Sequence, residues 1–159
     1  MHTLKKVVDK ILEIFCMSLM AFMTVLVTWQ VFTRYILNNP SATSEVLAKY
    51  LFVWMVLYGT AYVFGLREHM SITFIKESFP LKIQYILELI TEGVLIAFAV
   101  MVMLQGGLVS TVKQMVQLDS ALQIPIGVLY SAIPISGLLI IFYSIYNIFL
   151  VVSKFRKGV

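Results

Sequence analysis

The sequence predicts an all-α integral membrane protein of four transmembrane helices joined by short loops, on three observations. Four apolar runs fill nearly all of the 159 residues, and each reaches the ~20 residues that carry an α-helix across ~30 Å of hydrocarbon at ~1.5 Å per residue. Hydrophobic residues make up 60% of the chain and charged ones 13%, with mean hydropathy +0.94, outside the balance of a soluble domain. The cations fall almost wholly on one side of the map that the runs define. Only short connections remain, and no linker, internal repeat or low-complexity tract is visible. Residues 1–159 therefore read as a single membrane domain with no room for a soluble catalytic part.

The first span covers about residues 11–37. Lys5, Lys6 and Lys10 precede it as they would a secretory signal. The apolar stretch, however, is about twice the length of a signal core, lacks a small-residue cleavage site and runs on to Arg34 and Tyr35, so an uncleaved helix is expected. Cys16 stands alone, which excludes an intrachain disulfide. Asn38, Asn39, Pro40 and Ser41 break the pattern; Thr43 or Ser44 is then placed to cap the second span, about residues 46–66, with Glu45 in its first turn. From Ser71 to Lys82, the apolar Ile72, Phe74, Ile75, Phe79 and Leu81 mix with Lys76, Glu77 and Lys82, a pattern that suits a segment lying in the membrane interface until Pro80 ends it. The third span covers about residues 83–112. Asp119 and Ser120 are cap candidates for the fourth, about residues 124–152, where Pro125 near the start costs little and Pro134 is expected to kink the helix.

An even number of spans places both termini and the central loop on one side. Lys5, Lys6, Lys10, Arg67, Lys76, Lys82, Lys154, Arg156 and Lys157 lie there, nine of the twelve cations, against Arg34, Lys49 and Lys113 on the other. The positive-inside rule makes the first side cytoplasmic. Anionic membrane lipid is then partner enough for a net charge of +4, and no nucleic acid is needed to explain it.

Ionisable groups in hydrocarbon are expensive, so Glu45, Lys49, Glu88 and Glu92 each require a reason. Glu45 and Lys49 are four apart with the acid first, the favourable order for a same-face pair, and Arg34 leaves the first helix within reach of Glu45. Arg34, Glu45 and Lys49 are thus expected to form structural ion pairs. Glu88 and Glu92 share a face of the third helix; they either pair with Arg67 or Lys82 near the headgroups or form a proton relay or cation site. His2 is terminal and His69 lies in the central loop, so no facing pair of intramembrane histidines is present to hold haem. No metal-ligand spacing, nucleophile with its base or phosphate loop is visible. The sequence therefore offers no catalytic, cofactor or metal residues.

What remains is packing. Gly59, Ala61 and Gly65 lie on the second helix, the last two spaced as small-xxx-small, and Gly106 and Gly107 lie on the third. Small residues let backbones approach where lipid tails supply no hydrophobic drive between helices, either within the four-helix unit or against a larger partner. Trp29, Tyr35, Tyr50, Trp54 and Tyr58 cluster toward the outer half, partly as an aromatic belt. Trp29, Trp54, Gly59, Ala61 and Gly65 are the partner-interface candidates.

Several of these residues also carry a resemblance. The run 29–35 (Trp-Gln-Val-Phe-Thr-Arg-Tyr), then Glu45, the run 49–54 (Lys-Tyr-Leu-Phe-Val-Trp), Gly59 to Ala61 and the loop motif from Arg67 through His69 to Ile72 resemble the small membrane subunit of tripartite ATP-independent periplasmic (TRAP) transporters. In the second half the likeness rests on 121–125 (Ala-Leu-Gln-Ile-Pro) and the helix with Pro134. Where that family often has paired acids before the second helix, this chain has Ser44 and Glu45. The resemblance implies a non-enzymatic subunit that pairs with a large membrane subunit, which moves a carboxylated solute on a sodium gradient after a periplasmic substrate-binding protein captures it. Among solutes it favours sialic acid over C4-dicarboxylates. Two other readings are a stand-alone small multidrug/proton antiporter, which wants an acid deep in the first helix where only Glu13 near its entrance is found, and a structural subunit of a respiratory complex, which would carry haem or quinone.

Overall fold

The computed structural model describes residues 2–39, 41–66 and 80–156, with backbone alone at residues 2, 81, 82 and 154–156. Four helices within it are long and apolar enough to cross a membrane: Thr3–Tyr35, Ala42–Leu66, Ile83–Gln114 and Gly127–Ser153, here spans 1 to 4. The central loop with Arg67 and His69, most of the expected interfacial segment, and Pro40 lie outside the described residues.

Helix α1 (His2–Tyr35) begins nine residues before the apolar run. The polar start is helical because its charges pair along the helix: Lys5 Nζ donates to Asp9 Oδ2 at 2.7 Å and Lys10 Nζ to Glu13 Oε2 at 3.1 Å. Its inward residues Leu12, Leu19, Leu26 and Thr33 recur every seven positions, and α1 packs chiefly along the second helix. The hairpin after it turns through Asn38 in the left-handed region (φ 48°), a conformation that asparagine tolerates better than most residues. Helix α2 (Ala42–Leu66) carries Glu45 in its first turn. Its cap is Ser41 rather than Thr43 or Ser44: Ser41 Oγ accepts from the Ser44 N–H at 3.4 Å, and the Ser44 hydroxyl itself donates back to the Ser41 carbonyl at 3.0 Å.

Span 3 comprises α3 (Leu81–Phe98), a π-helical segment (Ala99–Gly106) and α4 (Gly107–Gln114). Its buried residues Ala99, Met103, Gly107 and Thr111 recur every four positions. At ~3.6 residues per turn such a stripe would wind off a contact face. The i→i+5 closure of the π segment holds more residues per turn and keeps the stripe in line. Asp119 caps a tight turn in the following loop, accepting from the Ala121 and Leu122 N–H groups at 2.9 and 3.1 Å, and so does not cap the fourth helix as expected. Span 4 starts as the single turn α5 (Gly127–Tyr130) and resumes as α6 (Ala132–Arg156). The interruption at Ser131 precedes Pro134, whose ring crowds the Tyr130 carbonyl four residues back and which has no N–H to offer it.

Span 4 is the central helix. In its most apolar window 44% of residues are buried, against 11–17% in the other spans, and it packs along both span 2 and span 3. One core cluster joins Leu12, Tyr58, Ala132 and Tyr143; a second joins Ala61, Ala99, Met103 and Ile140. The outward faces carry Val25, Phe52, Met101 and Ile145 among many exposed apolar side chains, the pattern of a bundle solvated by lipid.

Candidate functional site

Glycines set how closely span 4 is approached. A Cβ on Gly65 would run into the Tyr143 ring, with Cζ at 2.6 Å and Cδ1 at 2.7 Å. On Gly107 it would meet Ile133 and Pro134 at 3.0 Å, on Gly127 the Thr111 carbonyl at 2.6 Å, and on Gly137 the Met103 Cβ at 2.8 Å. Ala61 is fully buried. Of the sequence-selected small residues, Ala61, Gly65 and Gly107 thus serve packing inside the chain. A Cβ added to Gly59 or Gly106 would have nothing within 4 Å, so both look outward. Gly127 and Gly137 are packing residues that the sequence reading did not single out; their signal was the small-residue content of span 4, with Ala132 and Ser136 also fully buried.

A polar cluster closes the end of the bundle that carries the termini. The Tyr143 hydroxyl donates to Asp9 Oδ1 at 2.6 Å, Lys5 holds the other carboxylate oxygen, and its ammonium lies 5.8 Å from the ring centroids of both Tyr143 and Tyr146. The side chains of Lys5 and Asp9 are only 18% and 20% exposed. Sequence reading passed over Asp9 because it precedes the apolar run; the Lys5–Asp9 spacing of one helical turn was the available signal. Nearby, Asn147 Nδ2 donates to Glu92 Oε1 at 3.0 Å, tying span 3 to span 4. Glu92 therefore has an inter-helix structural partner. Among the described residues no group of three or more His, Cys, Asp or Glu is placed to hold a metal ion.

At the opposite end Glu45 pairs with Lys49 at 2.9 Å. Arg34 lines the same cleft as Glu45, with Gln30, Val31, Tyr35 and Ser41, in a cavity of about 220 Å³, but forms no ion pair with it among the described residues. The side chains of Lys49 and Glu45 are 67% and 56% exposed, where water screens the attraction. Glu45→Gln in the isolated chain is therefore expected to leave the thermal melting curve in detergent unchanged, and a drop of several degrees would show the pair to be structural.

The two tryptophans separate. Trp29 is 53% exposed and stacks on Phe32 at 5.7 Å; both line an apolar groove of about 400 Å³ with Thr24, Val25 and Thr28 on the outward face of α1. Trp54 turns inward and lies against Tyr58 in the core, with ring centroids 5.9 Å apart.

Four long apolar helices, one of them central to the packing, with polar contacts at the ends of the bundle, define a multi-pass helical membrane protein. The chain belongs to the DctQ component of the tripartite ATP-independent periplasmic transporters, whose family profile matches residues 23–154. It is 38% identical over 102 residues to the sialic acid TRAP transporter small permease protein SiaQ of Vibrio cholerae, a match that covers 64% of this chain and 59% of that relative. A Haemophilus influenzae protein, provisionally named a TRAP transporter small permease protein, is 29% identical over 140 residues, 88% of this chain and 86% of its own length. With these relatives the chain is a TRAP transporter small permease subunit, multi-pass in the inner membrane, and so part of a transporter.

Proposed function

We propose that this subunit scaffolds a large membrane subunit in a stable heterodimer that takes up a carboxylated solute by sodium symport, after delivery by a periplasmic substrate-binding protein. The observation that carries the reading is the family match over residues 23–154, which reaches all four spans; the Asp9–Tyr143, Glu92–Asn147 and Glu45–Lys49 pairs are contacts between side chains of the chain itself. Sialic acid is favoured over C4-dicarboxylates because the Vibrio relative is named for it. The test is reconstitution in proteoliposomes with the large subunit and the binding protein. Uptake of labelled sialic acid is expected only with all three and an inward sodium gradient; uptake of succinate instead would redirect the substrate, and full uptake without this chain would refute the scaffold.

Gly59 is the partner-surface candidate that the fold leaves open, on a stripe with Phe52, Val56 and Val63. Gly59→Leu is expected to lower co-purification of the large subunit while the isolated chain melts as before, since a Cβ at this position has no neighbouring atom within 4 Å. Unchanged co-purification would remove Gly59 from the interface.

The cation count favours cytoplasmic termini. Single cysteines at Thr3 and Asn39, in a Cys16→Ser background, are expected to label from opposite sides, with only Asn39→Cys reached from the periplasm. Labelling of Thr3→Cys from the periplasm would invert the topology.

A further inference from the structure

Charged residues bracket the hydrocarbon on two spans: Glu13 and Arg34 on span 1 and Glu92 and Lys113 on span 3 are each roughly 32 Å apart along the helix at ~1.5 Å per residue. Gln105 then lies about 12 Å from Lys113 and about 20 Å from Glu92, within a few ångströms of the bilayer midplane. Its side chain is exposed, in the π-helical segment and on the face opposite the one that packs on span 4. Other exposed polar side chains at membrane depth are satisfied by their own helix. Ser18, Thr24, Thr28 and Thr60 each donate to the carbonyl four residues back, at 2.7–2.8 Å. The Gln105 amide makes no hydrogen bond among the described residues, and a primary amide left in hydrocarbon is costly.

Three features on or beside that face say what covers it. The open glycines Gly93 and Gly106 allow a helix backbone to come close. The π segment holds Met101 and Gln105 in line, and the exposed Gly93, Ala97 and Val109, at the same spacing of four, continue the face on either side. Lys113 ends the line, exposed and without an acidic partner among the described residues. A second copy packed symmetrically on this face would set Lys113 against Lys113, so a different chain is the better fit.

We propose that the outward face of span 3 is a docking site for a transmembrane helix of the large subunit, one that offers a hydrogen-bonding side chain to Gln105 at the midplane and an acid to Lys113 at the membrane surface. The proposal rests on the small-permease reading above. Inter-helix hydrogen bonds in membranes have modest strength, so Gln105→Leu is expected to weaken the complex about 3- to 30-fold while the isolated chain melts as before; Gln105→Asn is expected to retain part of the affinity. The measurement is titrated co-purification from detergent of tagged chain with the co-expressed large subunit, alongside melting of the chain alone. If the wild-type chain does not bind the large subunit, the small-permease reading fails. If it binds and Gln105→Leu binds equally well, only the docking face is overturned. Cross-linking of Gln105→Cys, in the Cys16→Ser background, to a cysteine-scanned helix of the large subunit supports the assignment; cross-linking to a second copy alone overturns it.

Discussion

Gly65→Leu is expected to destabilise the isolated chain by about 1–3 kcal/mol or more, the range for forcing extra atoms into a packed core. Its first added carbon alone would collide with the Tyr143 ring, and that ring has nowhere to go: Tyr143 is fully buried and its hydroxyl is held by Asp9 at 2.6 Å. Relief requires either that α2 back away from α6, opening the core around Tyr58 and Ala132, or that Tyr143 rotate and release Asp9. Gly65→Ala is expected to show a smaller loss of the same sign, because the conflict is at Cβ rather than at the end of the side chain. Thermal melting in detergent, followed by the fluorescence of Trp54 in the adjoining core, measures both. Gly65→Ala melting at the wild-type temperature would show that spans 2 and 4 do not approach so closely. The contrast with Gly59→Leu separates chain stability from partner binding.

The Asp9–Tyr143 bond gives the second large effect. A hydroxyl donating to a carboxylate is a charge-assisted bond, of about 1.5–3 kcal/mol when little exposed to water. Tyr143→Phe is expected to lose about that amount, and Asp9→Leu more, because it also leaves the mostly buried Lys5 without its anion. In a double-mutant cycle the two losses should fall short of additivity by about 1 kcal/mol or more. Strict additivity would mean that the two groups do not interact.

Much of this protein was legible along the chain. Span number and approximate extent follow from apolar length measured against a fixed hydrocarbon thickness, a property that needs no neighbour to define it. The ends were less legible. Polar residues 2–10 read as flank, yet their side chains pair one turn apart and extend α1. Ser41 rather than Thr43 caps α2, a matter of one or two residues that local composition does not resolve.

By itself the sequence determined that the chain spans a membrane four times, that its charges are asymmetric, and, through runs such as 29–35 and 49–54, which family it belongs to. Tertiary structure alone decided which face of each helix turns inward. Gly59 and Gly65 are alike in sequence, yet one is open and the other lies against Tyr143, because a helix's rotation about its axis is set by the shapes it meets on other helices. Asp9 and Tyr143 are 134 positions apart, a separation across which no local pattern signals contact. The four-residue stripe on span 3 is a straight contact face only through the π-helical segment, a change of helical pitch where Ala99 and Met103 lie against Gly137 and which no local sequence pattern announces.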